Sequence, residues 1–85
     1  MKKIELNKRV KEYKSLFIKK PDIPAARFGK SMYIQKQHHE RISHIVHIIG
    51  KSEITMYEYI SNVLEEHFKA YKEEITNSFI GQKIY

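Results

Sequence analysis

The sequence predicts a mainly α-helical fold with one short strand. Two copies close it, pairing their strands into an intermolecular antiparallel two-stranded ribbon and interlocking their helices as an intertwined homodimer. Three observations predict it. The stretch KSMYIQ alternates polar and apolar side chains, two later stretches carry apolar residues at helical spacing, and the second of these opens on a capping box. With 85 residues the chain makes one domain at most, and without cysteine it has no disulfide to hold it.

Charge divides the chain into two parts. Residues 1–36 hold eleven Lys/Arg against three Asp/Glu, a balance of +8, and residues 37–85 hold five against seven, a balance of −2. A basic stretch on a near-neutral body suits a polyanion, nucleic acid first and an anionic membrane surface second. Residues 1–28 read as a basic, mostly flexible arm and linker. Ile4, Leu6, Val10, Tyr13, Leu16, Phe17 and Ile18 lie among lysines with no clear helix cap. In KKPDIPAARFGK, Pro21, Pro24 and Gly29 favour extended chain.

Residues 29–76 form the folded domain and 77–85 a tail. In the strand, residues 30–35, Met32 and Ile34 face inward and Ser31, Tyr33 and Gln35 outward. A lone strand leaves both edges unpaired, which invites pairing with another copy. Ile42, Ile45, Val46, Ile48 and Ile49 then mark one face of a helix from about Lys36 to Ile49, and Gly50 stands where a left-handed terminator is wanted. Thr55 and Glu58 make the capping box of the next helix, with Ile54 and Tyr59 as its hydrophobic staple. Ile60, Val63, Leu64, Phe68, Tyr71 and Ile75 carry that helix from Met56 to about Ile75, farther than a core of this size reaches, so a partner helix is expected over its far end. The tail is apolar at Phe79, Ile80, Ile84 and Tyr85.

Strand, helix, tight turn and longer helix together resemble the ribbon-helix-helix DNA-binding fold, the class of the Arc and MetJ repressors, over residues 30 to about 70. The resemblance implies that the ribbon enters the major groove of double-stranded DNA with Ser31, Tyr33 and Gln35 as base readers. It also implies that the second helix rests its N-terminus on a phosphate, with Thr55 orienting the turn and Met56 and Tyr57 lending amides. Arg27, Lys30, Lys36 and Lys51 would neutralise neighbouring phosphates. The strings YIQKQHHERISHIVHIIG and YISNVLEEHFKAYKEEI are similar to small proteins encoded on conjugative transposons of gut anaerobes. That implies a transcriptional regulator or accessory factor of a mobile genetic element.

Other chemistries have less to work with. Glu40, His44 and His47 share a helical face at metal-ligand spacing, but a solvated polar face explains them and no metal is expected. His67 reads as an interface residue. There is no phosphate-binding glycine loop, no nucleophile beside a base and no carboxylate pair in a cleft. The expectation is therefore no enzyme, no cofactor and no small-molecule substrate. No apolar run is long enough to span a bilayer, so a cytoplasmic protein without a membrane partner is expected. Two other readings stay open: a protein-interaction module, antitoxin-like or a scaffold dimer, whose basic arm binds an acidic partner, and a membrane-surface amphipathic segment at the start of the chain.

Overall fold

The computed structural model describes residues 3–80. Four helices follow one another: α1 (Lys3–Phe17), α2 (Lys36–Ile48), α3 (Met56–Ala70) and α4 (Lys72–Phe79). A single 3₁₀ turn (Ala26–Phe28) interrupts the linker between α1 and α2. The middle helix in space is α3, which packs on α1, α2 and α4. No helix among the described residues is long and apolar enough to cross a membrane.

The expected strand is absent, and with it the intermolecular ribbon of the ribbon-helix-helix fold and the intertwined homodimer built on it. Among the described residues there is no strand at all. The reason lies in residues 30–35 themselves. Their alternation does not separate a buried face from a wet one, because Met32 is 86% exposed and Ile34 is exposed as well. No second strand offers them a ladder, so the backbone runs extended until Gln35 (φ −60°, ψ 144°) turns it into α2.

Residues 3–17, read from the sequence as part of a mostly flexible arm, form α1. Leu6, Val10, Tyr13 and Phe17 recur at spacings of four, three and four, and the C-terminal members of this stripe pack on the core. What the helix lacks in caps is supplied from α3. The side-chain amide of Asn62, 2% exposed, donates to the carbonyls of Phe17 (3.0 Å) and Lys19 (2.8 Å), groups that a helix terminus otherwise leaves without partners. One turn earlier on each helix the phenols of Tyr13 and Tyr59 share a hydrogen bond of 2.7 Å.

The start of α3 follows the sequence closely. Thr55 Oγ1 accepts from the Glu58 amide at 3.1 Å, and Glu58 Oε1 accepts from the Thr55 amide at 2.9 Å, closing the capping box. The staple residues Ile54 and Tyr59 are buried with Val46, and Tyr13, Phe17, Ile18, Ile42, Ile45 and Met56 pack around these three. Gly50 is required for a different reason from the one expected. Its backbone is not left-handed; Lys51 (φ 52°) and Ser52 (φ 60°) are. A Cβ at Gly50 would stand 2.7 Å from the Val46 carbonyl oxygen, closer than such contacts occur.

The long second helix also differs from its expected extent. It stops at Ala70, because Tyr71 (φ −116°, ψ 24°) leaves helical geometry, and α4 begins anew at Lys72 with Glu73 and Glu74 in its first turn, where the helix dipole favours acids. Of the apolar tail, Phe79 ends α4 and Ile80 is exposed, while Ile84 and Tyr85 lie outside the described residues.

Replacing Asn62 by Ala strips two carbonyls of their partner, and urea unfolding should show a loss of about 1–3 kcal/mol. Burial, and then the hydrogen bond to Tyr59, push the Tyr13 phenol well above the usual tyrosine range. Its neutral form is the one the fold holds. This contribution is therefore complete below an unfolded tyrosine pKa of about 10 and is lost as pH climbs beyond it. Urea midpoints measured from neutral pH to above pH 10 should accordingly fall more steeply for the native chain than for Tyr13→Phe.

Candidate nucleic-acid interface

The amino-terminal half presents its cations to water. Lys8, Lys11 and Lys14 on α1, Lys19 and Lys20 after it, and Arg27, Lys30 and Lys36 farther on are all exposed. Lys8 and Lys11 stand opposite the Leu6–Val10–Tyr13–Phe17 stripe, so docking α1 on α3 turns them outward. Packing and charge display are thus the same fact of helical periodicity.

The expected base readers Ser31, Tyr33 and Gln35 share the extended segment with Lys30, and all four are exposed. Gln35 ends that segment, its Oε1 accepting from Gln37 Nε2 at 3.1 Å. Lys36 opens α2 and stands 4.0 Å from Glu40, one turn on. Arg27 lies in the 3₁₀ turn with its guanidinium 4.9 Å from the centre of the Phe28 ring.

The linker is fastened to the start of α3. Tyr57 donates its phenolic hydrogen to the Pro24 carbonyl at 2.9 Å, and Gly29 passes beside the Tyr57 ring. Lys20, Pro24, Ala26, Thr55, Tyr57 and Glu58 line a small depression there. Glu58 would repel a phosphate arriving at this helix end, but its carboxylate is engaged on both oxygens: Oε1 holds the Thr55 amide, and Oε2 lies 3.8 Å from Lys20 Nζ. Met56 and Tyr57 are the first two residues of α3, so their amides have no intrahelical partner. The Met56 side chain turns inward to the core.

The structure therefore brings Thr55, Met56 and Tyr57 together with the linker that carries Arg27, and keeps Lys30, Ser31, Tyr33, Gln35 and Lys36 contiguous. Lys51 stands apart from the second group. It follows the C-terminal end of α2, which spans about 20 Å at 1.5 Å per residue from Lys36, and it lines a groove with Leu6, Arg9, Val10 and Lys14 of α1. Among the described residues no three of His, Asp or Glu gather as a metal-binding group, and His47 Nδ1 lies 3.0 Å from Ser52 Oγ.

Lys20 and Asn62 escape a reading by motif. Asn62 has a signal, being a polar residue three beyond Tyr59 on the stripe that faces the core. Lys20 has none, since its partner Glu58 is distant in sequence and the approach depends on the linker's path. A family model described as a protein of unknown function (DUF3408) matches residues 1–82. No curated protein and no solved structure matches the chain.

Proposed function

The chain belongs to the DUF3408 family, and we propose that it binds double-stranded DNA through the basic face of its amino-terminal half. One observation carries the reading: residues 1–36 hold a balance of +8, and the cations among the described side chains, from Lys8 to Lys36, are exposed along α1 and the linker. Such a surface neutralises phosphates and releases their counterions, which supplies affinity without sequence information. Residues 30–35 add the second requirement. An exposed extended segment lies along a groove without first unfolding anything, and there Gln35 pairs with an adenine edge while Ser31 and Tyr33 reach neighbouring bases or sugars. The amides of Met56 and Tyr57, oriented by Thr55, take a phosphate at the end of α3, and Arg27, Lys30, Lys36 and Lys51 hold others.

The absence of cysteine fits a cytoplasmic setting, where such DNA would be met. The likeness of the two helical strings to proteins of conjugative transposons supports a role as regulator or accessory factor of a mobile genetic element.

Fluorescence polarisation with a labelled duplex at two salt concentrations tests this. The logarithm of affinity should fall with the logarithm of salt by about 0.9 for each phosphate engaged. Changing Lys8, Lys11 and Lys14 together to Glu should weaken every duplex alike, whereas Gln35→Ala with Tyr33→Ala should level the preference between sequences. A chain that binds no duplex at low salt would end the proposal.

A further inference from the structure

Ile60, Leu64 and Phe68 follow one another on α3 at spacings of four, and Tyr71, the residue that closes the helix, continues the stripe three positions on. It is not the stripe that builds the core. Tyr59 and Asn62, the buried residues of α3, point about a quarter turn or more away, toward α1 and α2. Leu64, Phe68 and Tyr71 are each about half exposed, and Ile60 is half-buried at the stripe's start. The helix is thus apolar on two sides, and the described residues cover only one of them.

The molecule as a whole has surface to spare for a partner. The chain exposes 8007 Å², whereas a compact monomer of its 10.2 kDa exposes about 5,300 Å². Its radius of gyration is 15.7 Å, against about 12 Å for a compact domain of this length. A stable association needs to remove only about 800 Å² from each partner.

We propose that this outer stripe of α3 packs antiparallel against the same stripe of a second copy. Two-fold pairing sets a face against itself, so any charge on it would meet its like. On α3 this stripe carries none: Glu58, Glu65, Glu66 and Lys69 all lie off it, Lys69 Nζ is 3.4 Å from Glu66 Oε2, and Glu74 of α4 lines a groove beside Tyr71 at the stripe's far end. A second apolar surface, the groove between α1 and the end of α2, fails that requirement, because Lys14 and Lys51 line it and self-pairing would oppose cation to cation. The antiparallel sense also brings opposite ends of the two helix dipoles together and sets Leu64 of one copy across from the larger Phe68 of the other. This pairing is independent of DNA binding and involves neither the extended segment nor the basic face.

Sedimentation equilibrium of the full chain, over about a hundredfold range of concentration, should show the mass rise toward twice 10.2 kDa. Leu64→Glu and Phe68→Glu should each weaken the pairing by about tenfold or more, with helicity checked by circular dichroism. Because the chain has no cysteine, single replacements give clean cross-linking sites. A short bismaleimide should join two copies of Leu64→Cys and not two copies of Ile48→Cys, which stands in the α1–α2 groove; this comparison decides the matter even where a glutamate variant unfolds. A chain that stays monomeric throughout, a dimer indifferent to both glutamates in folded variants, or cross-linking at Ile48→Cys in place of Leu64→Cys would overturn the assignment.

Discussion

The fold depends on one side-chain amide. Asn62, on the most enclosed face of α3, donates both hydrogens of its Nδ2 to the Phe17 and Lys19 carbonyls, and so closes the end of α1 and fixes the direction of the chain beyond it. Hydrophobic burial alone would not do this. Only Val46, Ile54 and Tyr59 are buried apolar side chains among the described residues, and each contributes about 1.5–3 kcal/mol. A core so small positions helices loosely, whereas a two-pronged hydrogen bond out of water sets a register, and leaving its carbonyls unmet is costly. The phenol pair of Tyr13 and Tyr59 then aligns α1 along α3 from a second point.

From that fastening the remaining path follows. With Lys19 held, Lys20 reaches Glu58, Pro24 reaches Tyr57, and the linker passes the start of α3 before residues 30–35 run free of any ladder. The same docking turns Lys8 and Lys11 outward and leaves the outer side of α3 bare. Cationic surface on one side and apolar surface on another are consequences of one packing decision. The first is the surface proposed for DNA, and the second the one proposed for a copy of the chain.

Local chemistry was the legible part of this structure. Thr55 and Glu58 announce their helix because a capping box is built from residues three apart, and Ile42, Ile45 and Val46 announce theirs by spacing. Gly50 was legible as a necessary glycine, though the need comes from the Val46 carbonyl rather than from a left-handed backbone. Long-range chemistry was not legible. The end of α1 is capped from 45 residues away, so no cap stands beside it in sequence and the segment reads as a flexible arm. Residues 30–35 show the converse error, since alternation there satisfies the pattern of a strand without any partner to make one. Tyr71 breaks the last long helix with neither proline nor glycine to mark the place. Of the candidate interface, the cations could be read directly, while the exposure of residues 30–35 and the pairing of Glu58 with Lys20 could not.

Amide hydrogen exchange on the full chain measures the central fastening most directly. If Asn62 ties α1 to α3, the amides around Tyr13 and Phe17 should be protected as a unit with those around Tyr59 and Val63, and Asn62→Ala should release the former first. Should the amides of α1 exchange as fast as those of an unstructured peptide while α3 stays protected, the first helix is not part of the fold, and the structural account given for this chain fails.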